Sequence, residues 1–331
     1  MRWGLTTIAM AWLAVASLGG CSGGDDPSPF ADSRTPPGLA ERFYPPEGWA
    51  WGYVQVGDGP VQRYGVAAGA GAPIARVLIL PDYGQSAETW FETIGELNRR
   101  GCTVWVLEGV GQGGSGRLTR TRDLGHVRDF DADIAGARAM AESVVRPWRG
   151  TPLIVLGEGV GAAIAVRAVA QGLAADGVVL SQAALDAAAA PDEEGLARLR
   201  WLGLGATRAP DRRAWPPGAL ANRTAGERWR VAAAERWRRT NPDLRMAGPS
   251  LDWIAAQGEN NRLAGEALDQ LAVPVLVTRT RLETSCRGLA RCRTVGLTGG
   301  GGPPELADDA VRDAWLSAVE SFARGVGAEA H

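Results

Sequence analysis

Short apolar runs alternate with amphipathic stretches along most of the chain. Residues 87–99, 129–146, 160–173 and 308–323 have helical periodicity. Seven runs rich in Val, Ile and Leu predict β-strands, at 51–56, 75–80, 103–107, 153–157, 177–181, 274–278 and 293–297. Apolar strands that alternate with helices predict an α/β fold with a mostly parallel central sheet and helices on both faces.

The alternation stops between residue 181 and about residue 271. This interval has several helical patterns and no clear apolar strand, so it predicts a helical cap inserted between two strands of the sheet. The predicted organisation is a flexible tether rich in Pro, Gly, Ser and Asp, then a core in two parts around the cap, and a short tail. The boundaries are 21–40 for the tether, 41–181 and 272–325 for the core, 182–271 for the cap and 326–331 for the tail.

The first twenty residues have the pattern of a secretory signal peptide. Arg2 precedes an apolar run at 5–18 that is too short to be a convincing membrane span. The sequence LGGC at 18–21 resembles a bacterial lipobox, in which Cys21 is acylated and becomes the first residue. An ordinary signal peptide that leaves a free cysteine is the alternative. Because two acyl chains anchor a protein stably, and because Ser22 follows the cysteine, we expect a lipoprotein on the periplasmic face of the outer membrane.

An oxidising compartment changes the interpretation of the remaining cysteines. Cys286 and Cys292 enclose a short loop, and a disulfide between them would contribute about 2 kcal/mol. A zinc site needs more ligands than this pair, and His126 and His331 are the only histidines in the chain, so we expect no metal. Cys102 borders an apolar run and is expected to be a buried free thiol.

The charge of the whole chain gives no reason to expect nucleic acid as a partner, since 35 basic residues face 37 acidic ones. One segment differs: between Arg198 and Arg245, twelve arginines are interrupted by only four acids. Within it, Trp229, Ala233 and Trp237 recur every four residues and form one stripe of a helix. This stripe either packs on the core, as apolar periodicity ordinarily does, or presents Trp and Arg to anionic lipid headgroups.

The apolar run at 153–156 ends in a glycine-rich turn that an Ala-rich helical pattern follows. A strand, a sharp turn and a helix with the sequence G-x-S-x-G form the nucleophile elbow of α/β-hydrolases. The five residues in this chain are Gly157, Glu158, Gly159, Val160 and Gly161. The pattern therefore predicts an elbow whose central position has no hydroxyl group.

Six segments occur in an order and spacing that extend over about residues 42–325. They are RVLILPDYGQSAETWFETIGELNRRG (76–101), VWVLEGVGQGGSGR (104–117), GHVRDFDADI (125–134), NPDLRMAGPSLDWIAA (241–256), VPVLV (273–277) and ADDAVRDAWLSAVESF (307–322). Together they resemble the lysophospholipase and monoacylglycerol lipase branch of the α/β-hydrolases, which is serine aminopeptidase-like. The resemblance implies an α/β-hydrolase fold with a helical cap, ester hydrolysis by a Ser-His-acid triad, and no cofactor.

The resemblance places the triad on three positions, two of which have no catalytic side chain. The nucleophile position is Gly159, the acid position is Glu283 and the histidine position is Gly302. Acyl transfer needs an activated nucleophile, and in subtilisin the loss of the serine or the histidine costs about 10⁶ in kcat. The backbone N–H of Val160 and the loop that contains Asp82 would remain as a site for an anion or a carbonyl group.

Two hydroxyl groups are candidates for a non-standard nucleophile, Ser86 in the predicted oxyanion loop and Ser181 at a strand end. Each is more simply a turn or strand-end residue, because no histidine is placed to activate it. His126 is expected to be structural, and Glu158 is adjacent to the elbow centre with its side chain pointing elsewhere.

The sequence therefore predicts an envelope lipoprotein with a hydrolase fold that has lost catalysis and binds a lipid-like ligand or a protein partner. An active ester or lipid hydrolase with a non-standard nucleophile is the alternative. A purely structural envelope protein with a filled pocket is a third hypothesis.

Overall fold

A computed structural model describes residues 28–146, 150–185, 193–209, 227–279, 286, 289–298 and 302–329. Within these ranges one sheet of eight strands forms the centre of the molecule. The strands are β1 (Ala50–Val54), β2 (Gln62–Ala67), β3 (Ala75–Leu80), β4 (Cys102–Leu107), β5 (Leu153–Glu158), β6 (Gly177–Ser181), β7 (Val275–Arg279) and β8 (Cys292–Gly296). Their order across the sheet is β1-β2-β4-β3-β5-β6-β7-β8.

Six neighbouring strands of the sheet, from β4 to β8, run parallel to one another. Strand β2 pairs antiparallel with β4 and with the edge strand β1. The parallel strands therefore end at a common carboxyl edge, where ligand and catalytic sites of open α/β sheets are found. This confirms the predicted α/β fold with a mostly parallel sheet.

Seven α-helices flank the sheet or form the cap in the described part of the chain. They are α1 (Phe91–Arg99), α2 (Asp131–Ala139), α3 (Val160–Ala170), α4 (Glu193–Leu199), α5 (Arg228–Thr240), α6 (Leu251–Leu268) and α7 (Asp309–Glu329). Two π-helical turns extend helices, Met140–Val145 after α2 and Arg200–Leu204 after α4. Helix α7 continues to Glu329, so the residues from 326 onward that were expected to form a tail belong to the last helix as far as the structure describes them.

Helices cover both faces of the sheet. Because consecutive strand residues point to opposite faces, the side chains of both sets are buried. Leu78 and Val155 pack with α2, α3 and α6 on one face, whereas Val77 and Ile154 pack with α1 and α7 on the other. All four side chains are fully buried. Strands buried on both faces explain why β3 and β5 read as continuous apolar runs in the sequence.

Strand β2 was not predicted from the sequence, because its first residues are polar. Gln62 and Arg63 are buried, and the Arg63 guanidinium binds Glu88 Oε1 at 2.8 Å and Glu108 Oε1 at 2.6 Å. A buried arginine is tolerated only where carboxylates and hydrogen bonds compensate its charge. The partners are distant in sequence, so an apolar pattern does not indicate this strand.

The segment for which the sequence predicts a flexible tether is held against the body where the structure describes it. The N–H of Phe30 donates to the Gly114 carbonyl at 3.0 Å. The N–H of Arg34 donates to Asn241 Oδ1 at 2.7 Å, and the Asn241 amide returns a hydrogen bond to the Arg34 carbonyl at 2.9 Å. We call residues 30–34 the N-terminal strap. Any free tether therefore ends before Phe30.

The described elements between β6 and β7 are helical apart from one bridge, between Arg208 and Ser250. Of the predicted stripe on α5, Ala233 and Trp237 are buried, and Trp237 packs against Phe91 with ring centroids 5.5 Å apart. Trp229 is 39% exposed. The stripe therefore makes mainly packing contacts with the core.

Cys286 and Cys292 form the predicted disulfide, and Cys102 is a buried free thiol. Within the described residues no helix is both long enough and apolar enough to cross a membrane. Cys21 and the rest of the predicted signal peptide lie outside the described residues.

Candidate functional site

The glycine turn between β5 and α3 has the backbone conformation of a sharp elbow. Gly159 has φ 51° and ψ −113°, a combination that side chains of L-residues rarely adopt. Its N–H donates to the Ser181 carbonyl at 3.0 Å, which fixes the turn to the end of β6. The turn lies at the carboxyl edge of the sheet, as the strand-turn-helix pattern predicts.

The glycines that flank this turn allow helix and strand to approach closely. A Cβ built on Gly157 would lie 2.6 Å from Ala162 Cα, and one built on Gly161 would lie 2.8 Å from the Pro81 carbonyl oxygen. Both distances are too short for contacts between a Cβ atom and backbone atoms, so any side chain at these positions would push the helix away from the strand. The elbow geometry therefore persists in this chain together with the glycines that it requires.

The space beside Gly159 is filled by the side chain of Asp82, from the loop after β3. A Cβ built on Gly159 would overlap Asp82 Cγ and lie 2.7 Å from Asp82 Oδ2. A nucleophilic side chain at residue 159 would meet the same carboxylate. The loss of the nucleophile and the presence of Asp82 are thus two aspects of one packing arrangement.

Asp82 also uses the backbone donors that an acyl-transfer site needs. In α/β-hydrolases the oxyanion hole combines the N–H after the nucleophile with an N–H from the loop after β3. Here the N–H of Val160 donates to Asp82 Oδ1 at 2.9 Å, and the N–H of Tyr83 also donates to this carboxylate. Burial raises the pKa of Asp82, and these two donors oppose that rise. The Val160 donor that the sequence predicts for a ligand is thus used by a side chain of the protein.

Two further carboxyl groups lie next to Asp82. Glu158 and Glu305 are 1% and 3% exposed, respectively. Gln85 connects two of the three acids: its Nε2 donates to Glu305 Oε1 at 2.9 Å, and its Oε1 accepts the backbone N–H of Asp82 at 3.0 Å. The Trp90 indole N–H donates to the same Gln85 oxygen at 3.0 Å and fixes the amide orientation.

Glu158 and Glu305 form a carboxyl pair that retains a proton near neutral pH. Burial, followed by the charge of Glu305, raises the pKa of Glu158 well above its usual range. Burial raises the pKa of Glu305 to about 7. Two ionised carboxylates that are this deeply buried and this close together are unfavourable, so the protonated form of the pair is favoured. The site therefore favours a protonated carboxyl group, and no nucleophile lies beside it among the described residues.

The predicted histidine position, Gly302, lies at the same edge of the sheet. Gln182 Nε2 donates to the Gly302 carbonyl at 2.6 Å, and Gln182 directly follows Ser181, whose carbonyl binds the elbow. The structure therefore brings Gly159 and Gly302 to neighbouring backbone segments. Glu283, the predicted acid, lies outside the described residues.

The alternative nucleophiles are buried and have no catalytic base beside them in the described structure. Ser181 Oγ lies 2.7 Å from Thr278 Oγ1 and accepts the indole N–H of Trp315 at 3.0 Å. Ser86 is 2% exposed and precedes a 3₁₀ turn. His126 Nδ1 lies 3.0 Å from Ser250 Oγ, which caps α6, so its contact is structural. His331 lies outside the described residues.

Several described arginines of the cap segment contact the body of the protein itself. Arg230 pairs with Glu92 at 2.8 Å, and Arg208 pairs with Asp123 at 2.7 Å. Other guanidinium groups bind backbone carbonyls, as Arg238 does at Gly84. These contacts favour a structural role for the cap arginines. Among the described residues, no group of three or more His, Cys, Asp or Glu is arranged to hold a metal ion.

The parallel sheet, the elbow at Gly159 and the helical cap define an α/β-hydrolase fold. The family model described as "Serine aminopeptidase, S33" matches residues 71–287, about two thirds of the chain. The chain therefore belongs to this family. A comparison with curated proteins found no match.

Solved structures with a similar fold include esterases and lipases. A thermostable carboxyl esterase from Bacillus coagulans in complex with glycerol is 14% identical, with a TM-score of 0.66, over 84% of this chain and 99% of that one. A soluble variant of monoglyceride lipase from Saccharomyces cerevisiae is 14% identical, with a TM-score of 0.60, over 84% and 94%. A monoacylglycerol lipase from Paleococcus ferrophilus is 15% identical, with a TM-score of 0.59, over 81% and 99%. At these identities the similarity establishes the fold alone.

The sequence reasoning missed Glu305 and the role of Gln85. Glu305 lies in a short 3₁₀ turn, Pro304–Leu306, and only the fold places it beside Glu158. No local pattern marks it. The filled space at the elbow, by contrast, has one signal in the sequence. A large acid in the oxyanion loop, Asp82, and a glycine at the elbow, Gly159, have complementary volumes.

Proposed function

We propose that this chain is a non-catalytic member of the serine aminopeptidase S33 family that acts by binding. It is carried on the cell envelope by a lipid at Cys21, and it binds a lipid-like ligand or a protein partner. The observation that carries the loss of catalysis is the Asp82 carboxylate, which fills the nucleophile space at Gly159 and accepts the Val160 N–H at 2.9 Å. A substrate carbonyl has neither a nucleophile nor this donor.

The decisive experiment measures hydrolysis by the chain from Ser22 onward. The substrates are short-chain nitrophenyl esters, monoacylglycerols and lysophospholipids. The matched variant combines Asp82→Gly, Gly159→Ser and Gly302→His, which removes the blocking carboxylate and restores two triad positions. We expect no turnover by the natural chain above a heat-denatured control. Turnover by the natural chain would refute the proposal.

A hydrolase with a non-standard nucleophile remains the competing hypothesis. Ser86 and Ser181 are its candidates, and their burial and hydrogen bonds argue against them. A fluorophosphonate probe tests this directly, because it labels only an activated serine. We expect an unmodified intact mass, whereas one added phosphonyl group would favour the active hydrolase.

Binding and anchoring have separate readouts. Native mass spectrometry of the protein, extracted gently from its membranes, detects a lipid-like ligand as a discrete added mass, whereas cross-linking in intact cells detects a protein partner. For the anchor, Cys21→Ala is expected to move the chain from the membrane fraction to the soluble fraction. If neither a ligand nor a cross-linked partner is found, the purely structural hypothesis is favoured instead.

A further inference from the structure

Three large apolar side chains are exposed on one turn of the cap. Trp201 is 85% exposed, Leu202 is 63% exposed and Leu204 is 40% exposed. All three belong to the π-helical turn Arg200–Leu204, and we call them the cap turn. Exposed apolar residues are unremarkable when they are scattered singly, whereas contiguous ones mark a surface that contacts another phase or molecule.

The backbone that presents the cap turn is held by helix α6 of the cap. Arg200 Nε donates to Asp252 Oδ1 at 2.7 Å on α6. The N–H of Leu251 donates to the Thr207 carbonyl at 3.0 Å. Within the turn, Gly203 adopts φ 80°, which bends the chain at a position that glycine tolerates. The exposed side chains therefore project from a fixed support.

The N-terminal strap and the start of the helix that holds the cap turn both contact the loop after β4. The strap binds Gly114 in this loop, and the N–H of Ser250, which precedes α6, donates to the Gly125 carbonyl of the same loop at 2.9 Å. Eight residues lie between Cys21 and Phe30, and an extended chain over these nine Cα–Cα steps spans about 30 Å. A lipid on Cys21 would hold the strap within this distance of a bilayer, and the strap shares the loop after β4 with the cap.

We propose that the cap turn inserts into the interfacial region of a lipid bilayer as a second contact beside the acyl anchor. The inference rests on the envelope location in the proposed function and is independent of the loss of catalysis. An indole ring at headgroup depth with leucines at the acyl boundary is the arrangement that interfacial helices use. Since two acyl chains already anchor a protein stably, this second contact would fix the orientation of the protein on the bilayer.

The local charges indicate that apolar contact, and not attraction to anionic headgroups, dominates this binding. Arg198 pairs with Glu194 at 3.4 Å, and Arg200 pairs with Asp252 at 2.7 Å. The charges beside the cap turn are therefore compensated. We expect the binding to change little between low and high salt, unlike the binding of a basic patch.

The test uses the chain from Ser22 onward, which has no lipid and contains every described residue. Co-flotation with vesicles of phosphatidylethanolamine and phosphatidylglycerol measures its partitioning. The combined variant Trp201→Ser, Leu202→Ser, Leu204→Ser is expected to lower the partition coefficient at least ~10-fold, because it removes most of the inserted apolar area. The matched control, Tyr53→Ser with Val56→Ser, removes two residues that are 43% and 44% exposed elsewhere and should change nothing.

Circular dichroism and thermal unfolding verify that the triple variant folds. If it does not, Leu202→Arg places one charge in the turn with the same expected loss of flotation. Equal flotation of the natural chain and a folded variant would overturn the proposal, as would the absence of flotation by both. A dimer that the triple variant abolishes in sedimentation would also overturn it, in favour of pairing between two copies. None of these outcomes alters the hydrolysis assay, so the two proposals fail separately.

Discussion

The carboxylate of Asp82 and the missing side chain of Gly159 occupy the same space. Asp82 Oδ1 accepts the Val160 N–H at 2.9 Å, and a Cβ on residue 159 would overlap Asp82 Cγ. The acid thus takes the place of both the nucleophile and the oxyanion. Glycine at residue 159 therefore leaves no cavity, because Asp82, from a different loop, fills the space that a side chain at residue 159 would occupy.

This relationship predicts strong coupling between the two positions. Gly159→Ala is expected to lower the free energy of unfolding by about 2–4 kcal/mol, because the new Cβ meets Asp82 and the residue has positive φ. In an Asp82→Ala background the same substitution should cost about 1–2 kcal/mol less, since only the backbone strain remains. Urea denaturation of the four proteins in the cycle measures the difference.

Gly172→Ala is the matched control for the backbone strain. Gly172 has φ 98°, and a Cβ there would meet nothing within 4 Å. We expect a loss of about 1–2 kcal/mol that Asp82→Ala does not change. Additive effects of Asp82→Ala and Gly159→Ala would contradict the structural relationship.

The carboxyl pair Glu158–Glu305 makes stability depend on pH. Both folded-state pKa values are raised, and that of Glu305 is raised to about 7. Between about pH 4.3 and pH 7 the unfolded chain loses protons that the folded chain keeps, so the free energy of unfolding falls as the pH rises. Glu305→Gln should remove much of this decline. The free energy of unfolding of the variant, relative to that of the natural protein, should therefore be about 2 kcal/mol higher at pH 7 than at pH 4.5.

Chemical denaturation at several pH values measures the slope. Glu194→Gln is the control, since Glu194 is exposed on α4 and its side chain is 88% accessible. It should leave the slope unchanged. An identical slope in Glu305→Gln and the natural chain would show that the pair does not retain its proton.

The elements that could be predicted are those whose signal is local. The apolar residues Leu153 to Leu156 and the glycines after them indicated β5, the turn and α3, because burial on both faces and close packing leave a direct record in the sequence. Strand β2 left no such record. Its buried Arg63 is satisfied by Glu88 and Glu108, which the chain brings together only after folding.

The same distinction applies to the candidate site. Gly159 and Asp82 were identified from their positions in motifs, whereas the direction of the Asp82 side chain depends on the relative placement of two loops. Glu305 lies 147 positions after Glu158 and carries no motif, so only the fold places the two acids together. Burial then raises the pKa of both acids. No local pattern in the sequence indicates that an acid in a loop, such as Glu305, is buried.

His126 and Ser250 predict a pH dependence of opposite sign. His126 Nδ1 lies 3.0 Å from Ser250 Oγ, and burial lowers the pKa of His126. As the pH falls below the ordinary histidine pKa of about 6.5, the unfolded chain gains a proton that the folded chain resists, so stability decreases. His126→Asn should remove this loss at acidic pH, measured by thermal unfolding between pH 5 and pH 7.5.

Ser250→Ala separates the helix cap from the histidine. Ser250 Oγ accepts the Trp253 N–H at 3.1 Å at the start of α6. Removing this cap should cost about 1 kcal/mol at every pH. If the His126→Asn and natural proteins instead lost stability equally on acidification, the pKa of His126 would not be lowered by folding.

The buried ion network at Arg63 predicts a link between core electrostatics and the N-terminal strap. Arg63 and its partners Glu88 and Glu108 have side chains that are 0% exposed, and Arg63 Nη1 donates to the Ala31 carbonyl at 2.8 Å. Arg63→Met leaves two buried carboxylates without a counter-charge and should cost about 3–5 kcal/mol. It also removes a contact that holds the strap, so we expect faster hydrogen exchange and proteolysis at residues 30–34.

The matched control is Arg262→Met, because the ion pairs of Arg262 with Glu259 and Glu266 are on the surface. This variant should change neither the free energy of unfolding nor the protection of the strap. A strap that stays protected in Arg63→Met would show that Gly114 and Asn241 suffice to hold it, and that the network stabilises the sheet edge alone.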